Sequence, residues 1–319
     1  MDDAQARLGA TEPDLYPIDE REVRQFWQDN ACGDEQVGGL HSRFGGDYEK
    51  FFTEYDRFRY SNERHLLDCL TELHVVGKQV LEIGLGEGSD SEQLIRRGAE
   101  WSGLDLTAES VARVKTRLAL RDLPYRNLRQ GSVLNLPFAD DSFDMVFSHG
   151  VLHHVPDIKQ AEQEINRVLR PDGELVIMMY ARWSLNYLIS IGLIRRAGLL
   201  LTYPLASLGV GKPASAGGSG GPSPRNGSAG TMLADHLDNA RNTGLLRYLR
   251  MAEFIHHNTD GPGNPYSAVY DRRRVAEDFP SFRIKRVYKR FMHAPPLPVH
   301  RLPGQTLAGW HLWAHLVPA

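Results

Sequence analysis

The sequence predicts an α/β fold whose core is a mostly parallel β-sheet. Short apolar runs alternate with helical patterns between residues 76 and 180, and such alternation is typical of parallel strands joined by helices. A glycine-rich turn follows the first apolar run, at residues 84–88. The chain ends with one helical pattern and two alternating strand patterns between residues 269 and 319. These three observations place the core before residue 180 and add two strands to it from the C-terminal segment.

Residues 1–75 predict an arm and a helical cap ahead of this core. The first 18 residues are rich in Asp, Glu and Pro, which predicts a loose arm. Asp19 and Glu22 form a capping-box pattern before an apolar stripe at helical spacing. A second, aromatic-rich helical segment is expected at residues 48–73.

The stretch Lys78–Gly88 predicts a buried strand and a ligand-binding turn. The apolar run contains one carboxylate, Glu82, and glycines recur at Gly84, Gly86 and Gly88. The helix that follows directs free N–H groups towards the turn. The spacing lacks the third glycine of the dinucleotide fingerprint. A carboxylate at Glu82 would repel a pyrophosphate and suits a ligand that carries an amino group and a sulfonium.

The second and third predicted strands, at residues 101–105 and 126–130, each end beside polar residues. The second strand ends at Asp105, and an acid at this distance from the first turn binds ribose hydroxyls in sugar-nucleotide sites. Asp105 could instead cap the helix at residues 108–120, although Thr107 can fill that role. The third strand leads into Ser132.

The fourth and fifth strands are predicted at residues 143–148 and 170–180, with a helix at residues 158–169 between them. The segments LEIGLGEG, LPFADDSFDMV, VLHHVPD and EINRVLRPDGELVI occur in this order. Together they resemble the class I S-adenosylmethionine-dependent methyltransferases over about residues 78–180, in a small-molecule methyltransferase domain of type 11 or 25. The resemblance implies a Rossmann-like, seven-stranded, mostly parallel sheet with an antiparallel C-terminal hairpin at its edge.

The same resemblance implies S-adenosyl-L-methionine as the cofactor and S-adenosyl-L-homocysteine as the product. The residues that it places around the cofactor are Glu82, Gly84, Gly86, Gly88, Asp105, Leu106, Ser132, Val133 and His149. The family usually has an acid in place of Ser132, where it accepts a hydrogen bond from the adenine amino group. Ser132 departs from this pattern, so we expect apolar walls and the backbone at Val133 to hold adenine.

The aromatic helical segment has two interpretations. Its aromatic residues could simply pack the helix onto the core. Alternatively, the segment covers the cofactor, with aromatic faces near the sulfonium and with Tyr60 and Arg59 at the methionine end. Arg59 would then bind the methionine carboxylate.

Four regions follow from these assignments. Residues 1–75 form the arm and cap, residues 76–180 the cofactor-binding core, and residues 181–268 a helical insertion with a flexible low-complexity loop at residues 211–230. Residues 269–319 complete the sheet with a helix and a hairpin. The insertion follows the fifth strand, where a lid over the acceptor would lie, although a structural extension or a dimer arm would also explain it.

Composition limits the partners. The 37 Lys and Arg residues against 40 Asp and Glu residues give a net charge of -3, which offers no basic surface for nucleic acid or an anionic membrane. Two cysteines cannot build a disulfide framework, so a cytoplasmic location is expected. No signal peptide or membrane span is expected, because charges and a proline interrupt the apolar stretch at residues 185–210. A small-molecule substrate is therefore expected, and a homodimer stays open.

Methyl transfer from a sulfonium is an in-line displacement, so positioning and water exclusion supply most of the catalysis. A base is needed only if the acceptor must lose a proton. His153 and His154 follow the fourth strand and are the candidate catalytic bases, although His154 could be a packing and hydrogen-bonding residue. The pair at residues 256–257 is a second candidate, and since no H-E-x-x-H spacing occurs, no metal site is predicted.

The predicted function is methylation of an oxygen or nitrogen of a natural product or metabolite, with a hydrophobic or amphipathic acceptor favoured by the apolar insertion. Methylation of a peptide, for example at a C-terminal carboxylate, would satisfy the same features. A protein that binds the cofactor without methyl transfer, such as a cyclase on the same fold, is the other alternative. A nucleic-acid methyltransferase is disfavoured, because the chain has no basic tail.

Overall fold

The computed structural model describes residues 18–207 and 229–319. The predicted loose arm, apart from its last residue, and most of the predicted loop at residues 211–230 lie outside the described residues. The statements below concern the described ranges.

A seven-stranded sheet forms the centre of the fold, with strand order β3-β2-β1-β4-β5-β7-β6. The first five strands pair in parallel, and β7 pairs antiparallel with both β5 and β6. This confirms the predicted Rossmann-like sheet with an antiparallel C-terminal edge. The strands are β1 Gln79–Ile83, β2 Glu100–Asp105, β3 Asn127–Gln130, β4 Phe143–His149, β5 Leu169–Tyr180, β6 Phe282–Arg290 and β7 His311–Pro318.

Helices precede, connect and extend the sheet. Before it lie α1 Glu20–Asp29, α2 Tyr48–Asn62 and α3 His65–Thr71, and between its strands lie α4 Ser89–Arg96, α5 Ala108–Leu120 and α6 Ile158–Val168. The insertion contains α7 Asn186–Arg195, which has π-type turns, α8 Arg196–Ser207, α9 Ala229–Thr243, α10 Leu245–Tyr248, α11 Met251–Phe254 and α12 His256–Thr259. The C-terminal segment adds α13 Arg272–Asp278 and α14 Gln305–Ala308.

The strand order creates the place for a ligand. The chain leaves β1 towards β2 on one side, whereas β4 lies against the other side of β1. At such a switch point the loops after the two strands diverge and leave a crevice at the carboxyl ends. The crevice therefore lies beside Gly84, Asp105 and His149, which end or follow β1, β2 and β4.

The N-terminal cap packs across this crevice. Asp19 caps α1, because its side chain accepts a hydrogen bond from the backbone N–H of Arg21. The segment predicted as one helix at residues 48–73 is two helices, since the chain turns between Asn62 and His65. Three aromatic residues of α2 lie in a small buried cluster of their own. They are Phe51, Phe52 and Tyr55, and they pack with Val37 and Leu40.

The insertion folds into a helical unit with its own apolar cluster. Ile191, Tyr248 and Phe254 lie in this cluster, together with Trp310 from the start of the last strand. The helical structure of the insertion is interrupted at Gly244, between α9 and α10. This glycine has φ +88°, a conformation that ends a right-handed helix.

One helical segment of the insertion, Asn186–Ala206, is long and apolar enough by length and composition to cross a membrane. This differs from the expectation that no stretch would qualify, because the helix continues through Arg195, Arg196 and Pro204 without a break. Only 17% of its most apolar window is buried. Most of this apolar window is therefore at least partly exposed.

Candidate active site

A cavity of about 990 Å³, including its open mouth, lies at the carboxyl ends of β1, β2 and β4. The loops after these strands supply one wall, and α1 and α2 supply the other. The cap therefore borders the crevice. Of the aromatic segment at residues 48–73, only Arg59 is in the described lining, whereas Phe51, Phe52 and Tyr55 pack in a buried cluster of their own. Residues on the two walls include Val23, Trp27, Arg59, Gly84, Gly86 and Asp105.

The turn after β1 requires glycine at residue 84. Gly84 has φ +80°, and a Cβ there would lie 2.1 Å from Cγ2 of Val151. No side chain fits at that distance, so the backbone of the turn forms the cavity wall directly. The backbone N–H of Leu85 then donates to Oδ2 of Asp105 at 2.7 Å.

Asp105 is held rigidly at the end of β2. Its Oδ1 accepts hydrogen bonds from the backbone N–H and the hydroxyl of Thr107, both at 2.8 Å. Burial raises the pKa of this carboxyl, and the hydrogen bonds from Leu85 and Thr107 oppose that shift. Thr107 also caps α5, since its side chain accepts from Ser110. Each carboxylate oxygen keeps acceptor capacity for a ligand in the cavity.

An arginine, an aspartate and a histidine form a buried charged network in the cavity wall. Arg59 Nη2 lies 2.7 Å from Oδ2 of Asp90 and 2.8 Å from Nδ1 of His149. His149 Nδ1 lies 2.6 Å from the same Asp90 oxygen. Burial alone would raise the pKa of the Asp90 carboxyl, but the charge of Arg59 and the hydrogen bond from His149 hold it below its usual range. Sequence reasoning placed Asp90 only in a helix opening and missed it as a site residue, although its position behind the glycine turn was the available signal.

His149 presents one ring nitrogen to this network. A carboxylate oxygen only accepts, so Nδ1 donates its hydrogen to Asp90 in that pair. Nε2 is buried and has no hydrogen-bond partner among the described residues. The lone pair on Nε2 is therefore available to a ligand.

The structure does not bring Glu82 into the lining of the cavity described here. Its Oε2 accepts a hydrogen bond from Nε1 of Trp101, on the neighbouring strand β2, at 2.7 Å. Burial raises the pKa of this carboxyl to about 8, and the negative charge of Asp90 adds to the shift. A predominantly neutral carboxyl in this position is an internal hydrogen-bonding group.

Gly88 and Tyr60 also lie outside the cavity lining within the described chain. Gly88 precedes α4 with φ +78°. The Tyr60 hydroxyl donates to the backbone carbonyl of Ser89 at 3.1 Å and thereby attaches α2 to the turn. Leu106 and Val133 do line the cavity.

Ser132 is linked to the cavity lining by a hydrogen bond to Glu20, a residue of the cap. Its hydroxyl forms a short hydrogen bond with Oε1 of Glu20, and Oγ accepts from the N–H of Leu134 at 3.0 Å. Glu20 lines the cavity, whereas Ser132 itself is not in the described lining. The sequence patterns did not single out Glu20 as a site residue, and no local signal links it to a residue so distant in the chain.

The two candidate bases have different surroundings. His153 is fully buried, and its ring lies 3.9 Å, centroid to centroid, from the ring of Tyr180. Burial lowers the pKa of His153 well below its ordinary value, and the neighbouring His154 adds to this. His153 is not in the lining of the described cavity, whereas His154 is.

Contacts with the insertion fix the ring of His154. Its Nδ1 donates to the backbone carbonyl of Tyr266 at 2.7 Å, and its Nε2 lies 3.2 Å from Oδ2 of Asp260. The ring also packs against Trp27 of the cap, with centroids 5.0 Å apart. No residue of the described parts of the insertion lines the cavity, so the insertion reaches the site through His154.

The second histidine pair, His256 and His257, contacts backbone carbonyls of the loop that follows α12. His256 Nδ1 lies 2.9 Å from the carbonyl of Ser267, and His257 Nδ1 lies 2.8 Å from the carbonyl of Pro262. These contacts tie the loop to the insertion. The cavity described here does not include either ring in its lining.

Comparison with known proteins gives a match in the central part of the chain. Residues 81–177 match a family model described as a methyltransferase domain. A phthiotriol/phenolphthiotriol dimycocerosates methyltransferase from Mycobacterium tuberculosis is 37% identical over 105 residues, which are 32% of this chain and 38% of the relative. The methyltransferase GfsG from Streptomyces halstedii is 34% identical over 103 residues, 32% of this chain and 37% of the relative.

The chain thus covers 38% of the length of the M. tuberculosis relative and 37% of the length of GfsG, which is less than two fifths of each. A crystal structure of a SAM dependent methyltransferase from Aquifex aeolicus aligns over 86% of this chain and 99% of its own, with 13% identity and a TM-score of 0.45. The family-model match at residues 81–177 runs from β1 into β5 and includes the turns after β1, β2 and β4 that line the cavity.

Proposed function

We propose that the chain, whose residues 81–177 match a methyltransferase domain, is a class I S-adenosylmethionine-dependent methyltransferase that methylates a small molecule. The proposed donor is S-adenosyl-L-methionine, and S-adenosyl-L-homocysteine is the product. The acceptor is an oxygen or nitrogen of a hydrophobic or amphipathic natural product or metabolite.

The observation that carries this proposal is the convergence of the glycine turn and Asp105 on one cavity. Gly84 gives the backbone close approach, and Asp105 is fixed by Leu85 and Thr107 with acceptor capacity left over. In the proposed complex, the ribose hydroxyls donate to Asp105. The carboxylate of the methionine end faces Arg59, and its amino group faces Asp90.

We assign the adenine end to the region between Val133 and Glu20. Both residues line the cavity, and the Glu20 carboxylate stands beside the Ser132 hydroxyl. A carboxylate accepts a hydrogen bond from an amino group more strongly than a hydroxyl does. Glu20 from the cap would therefore supply the acid that is absent at residue 132.

The cap supports transfer by excluding water. The side chains of Val23 and Trp27 close the cavity opposite the glycine turn. Since charge is dispersed when a methyl group leaves a sulfonium, alignment of the acceptor in a closed, apolar space supplies most of the rate. Binding and orientation are the roles that we propose for these residues.

His154 is the residue that we propose on the acceptor side, in preference to His153. Its Nδ1 carries the hydrogen donated to Tyr266, which leaves the Nε2 lone pair facing Asp260. This pair gives a place for a positive charge beside the cavity. Because His153 is enclosed by Tyr180 and His154, we do not propose it as the base.

The exposed face of the insertion supports a hydrophobic acceptor. Leu193 is 58% exposed and Leu201 is 73% exposed on the continuous helix α7–α8, and other leucines on that helix are exposed as well. Exposed apolar surface of this extent marks an interaction site. The relative from M. tuberculosis is named for phthiotriol and phenolphthiotriol dimycocerosates, and we propose an acceptor with comparable apolar character for this chain.

Two further expectations remain proposals. Within the described residues neither Cys32 nor Cys69 forms a disulfide, which is compatible with the proposed cytoplasmic location. A homodimer is the oligomeric state that we would test first, by light scattering on the purified chain.

The test is a transfer assay with methyl-tritiated donor and fractionated acceptors. The chain is incubated with a lipid and natural-product extract or with a peptide pool, and release of S-adenosylhomocysteine is measured in parallel. Tritium in the organic-extractable small-molecule fraction is expected. Tritium confined to peptides would replace the small-molecule acceptor by a peptide carboxylate. Donor binding by calorimetry without any turnover would leave a cofactor-binding protein, and absence of donor binding would remove the proposal.

A further inference from the structure

Beside the cavity, two histidines and an aspartate converge behind its wall. One ring nitrogen each from His153 and His154 and one carboxylate oxygen of Asp260 all lie within 4.8 Å of one another. Both histidines belong to the short turn Leu152–His154 that follows β4, whereas the aspartate follows α12 in the insertion. The cluster thus joins the core to the insertion.

The hydrogen bonds of His154 show that a positive charge belongs between it and Asp260. A carbonyl oxygen only accepts, so the contact of 2.7 Å with Tyr266 puts the hydrogen on Nδ1. In a neutral ring, the Nε2 lone pair would then face Oδ2 of Asp260 at 3.2 Å. A lone pair and a carboxylate repel at this distance unless a proton or a metal ion lies between them.

The surroundings of His153 favour a metal ion over a proton between these side chains. It is 0% exposed, and neither of its ring nitrogens has a hydrogen-bond partner among the residues that the structure describes. Burying such a group without a partner leaves its desolvation penalty uncompensated. A proton shared by His154 and Asp260 would leave His153 unsatisfied, whereas an ion in the cluster would take one of its nitrogens as a ligand.

We propose that His153, His154 and Asp260 bind a divalent transition-metal ion, for which Zn²⁺ is the probe. Two imidazoles and one carboxylate are a ligand set that such ions accept, with a further position left open. Bond lengths of zinc to nitrogen and oxygen place neighbouring tetrahedral ligands about 3.3 Å apart. The separation of 3.2 Å between His154 and Asp260 matches this geometry, and small side-chain rotations would bring in His153.

Outer contacts orient the proposed ligands. The Tyr180 hydroxyl lies 3.0 Å and 3.1 Å from the two carboxylate oxygens of Asp260. The carbonyl of Tyr266 fixes the tautomer of His154. Metal-binding histidines and carboxylates commonly carry such partners, and their loss weakens metal binding.

A second cluster, Glu63, His149 and His311, also brings potential ligand atoms within 4.8 Å of one another. It is a poorer metal site, because the Arg59 guanidinium lies 2.8 Å from Nδ1 of His149 and would repel a cation nearby. This cluster provides the competing assignment in the experiment.

The inference does not depend on methyl transfer, although His154 also lines the cavity. An ion held by His154 would lie in the wall shared by the cavity and the insertion. Its open position could then polarise an acceptor oxygen, which would lower the pKa of an acceptor hydroxyl. Metal binding is measured without donor or acceptor, so its failure and the failure of the proposed function are distinguishable.

The first experiment uses the intact chain. The protein is stripped with a chelator, shown to be folded by circular dichroism and titrated with Zn²⁺ by calorimetry and with Co²⁺ by visible absorption. One equivalent of each ion is expected, with the intense d–d bands of a four- or five-coordinate cobalt site. X-ray absorption of the zinc-loaded protein is expected to show two imidazole ligands. A folded, stripped protein that binds neither ion would overturn the proposal.

Variants then locate the ion. Asp260→Asn keeps the shape of the side chain but removes its charge, and it should weaken binding by roughly tenfold or more, as should His153→Gln. His257→Gln is the matched control, since it removes a nearby histidine outside the cluster, and it should leave the affinity unchanged. Unchanged affinity in Asp260→Asn, or loss of binding in His311→Gln alone, would overturn the assignment. If Asp260→Asn fails to fold, His153→Gln and His311→Gln decide between the two clusters: weaker binding in the first variant alone supports the assignment, and weaker binding in the second alone overturns it.

Discussion

Replacement of Asp105 by alanine tests the centre of the proposed cofactor site. The Asp105 carboxylate accepts the backbone N–H groups of Leu85 and Thr107 at 2.7 Å and 2.8 Å. It is only 8% exposed, so water cannot easily replace it. Asp105→Ala therefore removes the proposed ribose ligand and three internal hydrogen bonds at once, two of them from backbone N–H groups.

The two effects have separate magnitudes. Each buried N–H left without an acceptor costs about 1–3 kcal/mol, so the free energy of unfolding should fall by about 2–6 kcal/mol. Relief of the burial that raises the pKa of this carboxyl will offset part of the loss, which favours the lower half of that range. Loss of the bonds from the ribose hydroxyls should weaken binding of S-adenosylhomocysteine by about 1–3 kcal/mol, or about 5- to 150-fold.

Asp144→Ala is the matched control. Oδ2 of Asp144 accepts the backbone N–H of Gln79 at 2.7 Å, at the opposite end of β1 from the cavity. This variant should lower the free energy of unfolding without changing the affinity for S-adenosylhomocysteine. It separates a general loss of stability from the loss of a ligand contact.

Urea unfolding and calorimetric titration measure the two quantities, with titrations done at a temperature where each variant is folded. A folded Asp105→Ala protein with wild-type affinity would show that Asp105 does not bind the cofactor. Equal weakening by Asp144→Ala would show that affinity follows global stability, and the reasoning from the cavity would then fail.

Three further predictions concern the turn, the strand before it and the cap. Burial raises the pKa of Glu82 to about 8. Since this folded-state pKa exceeds the unfolded value of about 4.3, the contribution of Glu82 to stability is fully present below about pH 4. This contribution is lost as the pH rises to 8. Glu82→Gln, which can still accept from Trp101, should remove this loss, so thermal melts from pH 5 to 9 should favour the variant increasingly at high pH, and parallel curves would contradict the assignment. Gly84→Ala should lower the melting temperature and abolish cofactor binding, because its Cβ would lie 2.1 Å from Val151. Adding the substitution Val151→Ala should recover part of the melting temperature. Wild-type behaviour of Gly84→Ala alone would disprove the close approach. Trp27→Ala should weaken binding of S-adenosylhomocysteine by about 0.5–1.5 kcal/mol, as measured by calorimetry. Trp183→Ala, at an exposed position, is the control. Equal weakening by the two substitutions would exclude a specific role for the cap.

The sequence determined the order of the core elements and the site formed by its turns. The helix predicted at residues 108–120 is Ala108–Leu120, with Thr107 as its cap, because local periodicity and capping decide such helices. The convergence of Gly84 and Asp105 could also be expected. Parallel neighbouring strands present their carboxyl ends at one edge, so residues that follow them meet in space.

Tertiary structure decided where the side chains of those elements point and what they meet. Glu82 turns to Trp101 instead of the cavity, because adjacent residues of a strand face opposite sides of the sheet and the packing selects the side. Adjacent His153 and His154 likewise separate into a buried ring and a cavity-lining ring. A pattern of residue types could not distinguish them.

The contacts between distant segments were also beyond the sequence. Glu20 meets Ser132 across the cavity, and Asp260 meets His154 from the far end of the insertion. These pairs depend on how the cap and the insertion dock on the sheet, and no local periodicity encodes docking. The strands and turns thus follow from short-range patterns, whereas the charged and metal-binding chemistry proposed around them exists only because packing brings separate segments together.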